Sequence, residues 1–431
     1  MRTYTIIWLG QLVSTIGSYM TEFAIKVLAW EMTEKATALT LMELFSLLSG
    51  IFTTLIAGTI VDHWNRKVLI VLGDTVAILT TVIVVWLYFS HHLQVWHFYI
   101  AEIVTGAFSE IQELAYSTST AMMVPKHHYT RASSMNSALH YGSVIIAPAL
   151  AGVLYPSLGL GGIGLIDIAT FGVAILTILS VAIPQVERSP QPTSAPTHQL
   201  AEALYGFRYL LLHRGLLMLL AVTLLFSFAH EVGGALYAPM LLARSGNNTT
   251  ILGSISAAAG LGGMLGAAIL IAGKGSEQRM QGLLLAMVGV GVSKSVFGWG
   301  QSLLTWMPAQ FASSLSFPLL SSCDTAIWWS KVSPKVQGRV FAARSLIVHL
   351  SSILAVLVAG PLADHFFEPA MRPGGSLVSL GGWLFGTTSG SGMALLYSLA
   401  SLCMVLVGMG GLMVRSIRNA EVLIPDHDVP V

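Results

Sequence analysis

Apolar residues in this chain run almost unbroken for about twenty positions, stop for a few polar residues, and start again. About 20 such residues in helical form cross a bilayer. Twelve stretches qualify, at roughly 4–30, 38–61, 68–90, 96–124, 132–155, 162–183, 215–243, 250–272, 281–301, 304–331, 339–362 and 392–414. A bilayer offers no water to unpaired main-chain groups, so a spanning segment is a helix or part of a closed barrel. The two-residue alternation of a barrel is absent. The pattern predicts an all-α membrane protein with twelve transmembrane helices.

One interruption differs from the rest. "PQVERSPQPTSAPTHQ" (Pro184–Gln199) is rich in Pro, Ser and Thr and falls between the sixth and seventh stretches. It predicts a six-helix half at 1–183, a linker at 184–214 and a second half at 215–431. The halves look related. Arg131 and Gly152 are separated by the same interval as Arg339 and Gly360, and "LIAG" precedes a basic loop in both halves, at Leu55–Gly58 and Leu270–Gly273. Two similar halves in parallel order are a known transporter construction.

Composition agrees with the pattern. The 431 residues are 54% hydrophobic and 10% charged, with a mean hydropathy of +0.74. A water-facing domain carries about 25% charge. A net charge of +1 gives no electrostatic case for nucleic acid. Cys323 and Cys403, both in apolar runs, read as core thiols. No cleavable leader is expected, because the first apolar stretch is too long and lacks a small-residue cleavage site. Of the 21 Lys and Arg residues, Lys26, Lys294 and Arg344 lie within spans, and Lys35, Arg244 and Arg372 in segments on one side. The others fall in segments on the side of the N-terminus, which the positive-inside rule makes cytoplasmic. Both termini are expected inside.

The loop "GTIVDHWNRK" (Gly58–Lys67) spends four of its ten residues on ionisable side chains. It resembles the signature loop of the major facilitator superfamily at Gly58, Asp62, Arg66 and Lys67. His63 stands where a permanent cation is usual. Asn65 stands where Gly is usual, as a residue that tolerates the left-handed conformation of a tight turn. "WLGQLVSTIGS", "VQGRVFAARSL" and "AGPLADHFFEPAMRPGG" look like the bacterial drug-exporter branch that includes macrolide and siderophore exporters. The resemblance implies a conformational latch: Asp62 facing the start of the eleventh span near Gly338 and Arg339, favoured there by the helix dipole, with Gly58 allowing close approach. The alternative is an ordinary basic loop that satisfies the orientation rule.

The resemblance also makes spans one, four, seven and ten line a central cavity. Ionisable residues inside a membrane are costly, which makes Glu22, Glu110, Glu113, Glu231 and Asp324 candidates for proton coupling. Glu110 and Glu113 are three residues apart on neighbouring helix faces. The bland reading is that each carboxyl pairs with a cation or hydroxyl and only fixes packing; Lys26, four residues after Glu22, is such a partner. Asp74 and Arg344 near the cytoplasmic ends are assigned to the latch. Tyr116, Phe228, His230, Tyr237 and Trp328 are candidate cavity residues for a bulky, partly apolar substrate, or simply packing. His91, His92 and His97 read as loop residues rather than a metal site. "AAAGLGGMLGA" reads as helix packing. No phosphate-binding loop, His-Glu-x-x-His or Gly-x-Ser-x-Gly is present in the sequence, so neither an ATPase nor a zinc or serine hydrolase is expected. The expectation is a proton-coupled exporter of a lipophilic small molecule, working by alternating access without a cofactor, as a monomer in contact with membrane lipid in a bacterial inner membrane. An importer, or a non-transporting receptor or scaffold, are the alternatives.

Overall fold

The computed structural model describes residues 2–125, 129–181, 205–272, 278–333 and 336–419. Helices dominate it. The first four are α1 (Arg2–Thr33), α2 (Ala36–His63), α3 (Arg66–Phe89) and α4 (Val95–Met123). The helical stretch Tyr129–Leu179 is broken at Gly159, whose φ of 58° and ψ of −171° suit glycine alone. It forms two helices, α5 (129–158) and α6 (160–179). Then come α7 (Arg214–Ser245), α8 (Thr249–Ala272), α9 (Arg279–Trp299), α10 (Leu303–Lys331), α11 (Gln337–Leu362) and α12 (Ser391–Met413). The twelve expected spans are the twelve long helices.

Among the described residues, eight stretches are long and apolar enough to cross a membrane, and one of them runs through Gly159 to hold parts of both α5 and α6. The helices that fall short are α1, α4 and α10. They carry Glu22, Lys26 and Glu31, then Glu102, Glu110 and Glu113, then Asp324 with several serines. A span with polar groups at depth needs protein or a wet cavity beside it rather than lipid.

Local chemistry sets the helix ends. Asn65 caps α3: its side-chain oxygen accepts Lys67 N at 2.9 Å and Val68 N at 3.4 Å. The expected left-handed role is therefore corrected, since φ at Asn65 is −68°. A cap residue is extended, and its side chain meets main-chain donors that the first turn leaves unpaired. Lys67 Nζ donates to Val181 O at 2.6 Å and Leu179 O at 3.3 Å, capping the C-terminus of α6. His97 completes a capping box with Gln94 at the start of α4. Past Pro361, which has no N–H to give the preceding turn, α11 loosens into a π-helical turn at Ala363–Phe367. Glu368 follows and accepts Met393 N at 2.9 Å and Gly390 N at 3.3 Å at the start of α12. A short helix, Val378–Phe385, has no counterpart among the expected elements. It is too short to span and exposes Leu380 and Trp383, as helices at a membrane interface do.

The chain forms two compact units: Met1–Arg188 with Ala238–Gly260, and Ser189–Tyr237 with Leu261–Val431. Within the first, α1 packs on the α5–α6 stretch, α2 on α4, and α3 on α4 and the α5–α6 stretch. Within the second, α9 packs on α10 and α12. The segment 238–260 sits with the first unit because Gly152 and Gly253 let two backbones meet. Thr249 and Thr250 hydroxyls donate to Gly152 O at 2.9 and 3.1 Å, and Trp30 Nε1 donates to Asn247 Oδ1 at 2.8 Å. The expected linker falls largely at 182–204, outside the described residues.

Gly152 and Gly142 lie on the same helix and predict opposite effects. A Cβ at Gly152 would meet Thr249 O at 2.6 Å and Gly253 Cα at 3.2 Å, whereas one at Gly142 meets nothing within 4 Å. Gly152→Ala should destabilise by about 1–3 kcal/mol. Gly142→Ala should be neutral or stabilising by up to about 1 kcal/mol. Thermal melting of the purified variants checks the pair, and equal melting temperatures would refute the close contact.

Candidate functional site

The first unit holds two groups of expected carboxyls. On α1, Lys26 Nζ pairs with Glu22 Oε1 at 2.6 Å, as the four-residue spacing implied. Glu43 on α2 and Glu102 on α4 also act on Lys26 through their charges. On α4, Glu110 and Glu113 line one cavity of about 270 Å³ with Thr54, Ala57, Leu114 and Ser117. Thr54 Oγ1 donates to Gly50 O at 2.8 Å and lies 3.4 Å from Glu110 Oε2. A Cβ at Gly50 would meet Glu110 Oε1 at 3.4 Å, so the carboxyl lies against the backbone of α2. Glu113 is exposed. Two carboxyls a turn apart on one cavity wall present their oxygens to whatever enters it. Tyr116 packs instead into the apolar clusters around Ile7 and around Tyr4.

Asp74, assigned from sequence to the latch, is held inside the first unit. It is 2% exposed and accepts Gln112 Nε2 at 2.6 Å and Gln11 Nε2 at 3.4 Å. These amides position the carboxyl among α1, α3 and α4.

In the second unit, Arg344 on α11 forms an ion pair with Asp324 on α10. The pair is largely buried, with side-chain exposures of 25% and 13%. Arg344 also lies over the Trp328 ring, 4.8 Å from its centroid. Trp328 is fully buried against the core, and a cavity of about 330 Å³ opens beside it between Thr325, Trp329, Phe341 and Arg344. Arg344 is therefore engaged within its own unit rather than free for the latch. Lys294, which no sequence argument placed, is 5% exposed. Its Nζ stands 5.6 Å from the Tyr397 ring centroid, and Glu231 on α7 is the acid whose charge acts on it. Tyr237, Phe297 and Tyr397 stack beside it in series, with centroids 5.6 and 5.5 Å apart. His230 lies between Phe226 and Phe317, with its Nδ1 buried and unpaired among the described residues. Phe228, on the same helix, is exposed.

The latch residues divide. Gly58 and Asp62 fall in the last turns of α2, but the surroundings of both and the Asp62 side chain are outside what is described. Arg66 opens α3 and Lys67 serves as the α6 cap. Gly338 and Arg339 lie in the first turn of α11, both exposed, and the Arg339 guanidinium stacks over Tyr205 at 5.5 Å.

The family model described as Major Facilitator Superfamily matches residues 7–356. The chain belongs to the major facilitator superfamily. Its relatives include "Macrolide efflux protein A" of Streptococcus pyogenes, 26% identical over 368 residues that make up 85% of this chain and 90% of the relative. The protein of the same name from Enterococcus faecalis is 26% identical over 297 residues, 68% of this chain and 91% of the relative. Among solved structures, a mutant of the nucleoside transporter NupG superposes with a TM-score of 0.70 at 11% identity, over 94% of this chain and 99% of that one. A bacterial homologue of the iron transporter ferroportin in an inward-facing state gives 0.66 at 14%, over 95% and 98%. These likenesses establish the fold. As a member of the superfamily the protein is a multi-pass membrane transporter and not an enzyme.

Glu43, Glu102 and Asp167 are absent from the residues that the sequence nominates. All three stand alone in apolar runs, the signal that marks an intramembrane candidate. Glu43 and Asp167 lie off the expected cavity helices, and Glu102 is close to the start of its helix, where an acid reads as an interface residue.

Removing one partner of a buried ion pair strands the other charge, which costs about 3–5 kcal/mol. Asp324→Asn or Arg344→Gln alone should therefore lower the melting temperature of the purified transporter clearly. The double variant should recover most of the loss. A double variant no more stable than the worse single one would show that the pairing is not what holds α10 to α11.

Proposed function

We propose that this transporter exports a lipophilic small molecule from a bacterial cytoplasm in exchange for protons, by alternating access. The observation that carries the reading is the shared cavity of Glu110 and Glu113. Two acids at membrane depth, one against a threonine hydroxyl and one exposed, form a site that a proton or a cationic or polar group on a substrate would compete for. The named activity of the Streptococcus and Enterococcus relatives supports efflux and a bulky substrate. The aromatic cavity beside Trp328 and Arg344 suits such a molecule. Glu231, with Lys294 near it, is the matching acid of the second half. Glu22 and Asp324 already have cationic partners and serve the coupling less directly. In this proposal the halves 1–183 and 215–431, joined by the linker 184–214, alternate in an inner membrane with both termini in the cytoplasm. Asp62 and Gly58 latch onto the start of α11 near Gly338 and Arg339.

Glu→Gln keeps the shape of a carboxyl and removes its titration. Glu110→Gln, Glu113→Gln or Glu231→Gln should uncouple transport from an imposed pH gradient while downhill substrate exchange survives. The measurement is substrate flux in inverted vesicles with and without the gradient, with a macrolide as first substrate. If all three variants respond to the gradient as the parent does, these carboxyls are structural.

In this proposal Asp62→Asn removes an anion from the N-terminus of α11, worth roughly 0.3–2 kcal/mol. Transport should fall while expression and membrane insertion stay near normal. Undiminished flux in a well-inserted Asp62→Asn protein rules out the latch.

A further inference from the structure

The cavity of about 330 Å³ between α10 and α11 has a polar edge as well as aromatic walls. Thr325, Trp328 and Trp329 share one face of α10, and Phe341, Arg344 and Ser345 share one face of α11, at the same helical spacing. The Trp328 and Phe341 rings meet edge to face, with centroids 6.4 Å apart. Three groups that can donate a hydrogen bond line the same space. The Thr325 hydroxyl has no protein partner among the described residues. His349 Nδ1 stands 2.7 Å from Ser345 O, which only accepts, so that nitrogen carries a hydrogen. The Ser345 hydroxyl, 3.2 Å from the same nitrogen, therefore keeps its own hydrogen. The third donor is Arg344.

The Arg344 guanidinium is fixed from two sides, by its ion pair with Asp324 and by the Trp328 ring 4.8 Å away. It carries five N–H groups, and a carboxylate fork takes two of them. Among the described residues no acceptor other than Asp324 is bonded to it. Asp324 thus cancels the charge of the guanidinium without using up its donors. Asp324 itself is not among the residues that line the cavity, and neither is any other acid. The space is walled by rings, edged by donors and free of carboxylates.

We propose that this cavity is a subsite for an uncharged, hydrogen-bond-accepting oxygen on an otherwise apolar, ring-bearing molecule: a ketone, ester or amide carbonyl laid against Trp328 and Phe341 with its oxygen on Arg344. A cationic group would meet a guanidinium, with no acid lining the space to draw it in. An anion would have to compete with Asp324 for Arg344, and its success would strand a buried carboxylate. A neutral carbonyl takes the spare N–H groups and leaves the ion pair intact. Thr325 and Ser345 can serve a second oxygen on the same molecule. The inference names the class of cargo within the export reading and rests on that reading for the direction of travel; binding itself does not depend on it.

The probe is benzophenone, a diaryl ketone that forms covalent adducts on irradiation, applied to the purified full-length transporter with the adducts mapped by peptide mass spectrometry. Adducts should concentrate between Thr325 and Trp329 and between Phe341 and Val348. Asp324→Leu with Arg344→Leu removes the ion pair as a unit, which a fold tolerates better than the loss of one partner. It should lower labelling there roughly tenfold. Thr325→Val keeps the shape of the side chain and should lower it about threefold; it serves if the double variant does not fold. A trifluoromethyl aryl diazirine, photoreactive and apolar but without a carbonyl, should label the spans with no such preference and respond to neither variant. Benzophenone adducts spread evenly over the spans overturn the proposal. So does an equal preference of the diazirine for the cavity. Labelling undiminished in the folded double variant, or in Thr325→Val where the double variant does not fold, overturns it as well. Labelling needs no pH gradient, so absent macrolide flux with cavity labelling intact counts against the export reading alone.

Discussion

Hydrocarbon solvates neither a charge nor an unpaired main-chain group, and several ionisable side chains within the spans meet that constraint in different ways. Glu22 uses a lysine one turn along its own helix. Asp324 uses an arginine on the next helix, which in turn lies over an indole. Asp74 takes amide hydrogens from two other helices. Lys294 leans on an aromatic ring and an acid. Most of these solutions join different helices, so satisfying the charges also fixes which helices are neighbours.

Close packing follows the same logic with smaller parts. Lipid gives helices no hydrophobic reason to associate, so contact depends on small residues that bring backbones together. Gly10 and Gly17 of α1 face Thr177 and Thr170 of α6. In the second unit, Gly262 and Gly266 of α8 lie against the main-chain oxygens of Phe311 and Leu315. The run "AAAGLGGMLGA" is thus the packing seam its composition implied.

The twelve helices are legible because a membrane span is written in one dimension, as uninterrupted apolar length. The break at Gly159 coincides with the gap between two apolar runs, and the Glu22–Lys26 pair follows from helical spacing alone. Relations between helices are not written that way. Asp324 and Arg344 are far apart in sequence, and nothing in either segment names the other. Asn65 reads as a turn residue because the same side chain serves a left-handed turn and a helix cap; the choice depends on where α3 begins. The helix Val378–Phe385 escapes because eight residues are too few for a span pattern. Asp167 is visible as a lone acid, but its hydroxyl neighbours come from α1 and α3.

Lys67 draws one more consequence from the loop that opens α3. Its ammonium holds the last carbonyls of α6, while α6 itself packs in the same unit as α1. The beginning of the third helix is thereby bolted to the end of the sixth, just ahead of the segment that leads to the rest of the chain. A displacement of the start of α3 would therefore be shared with the end of α6. A lysine in this loop is thus a tie between two helix ends, and not only one more positive charge beside a span.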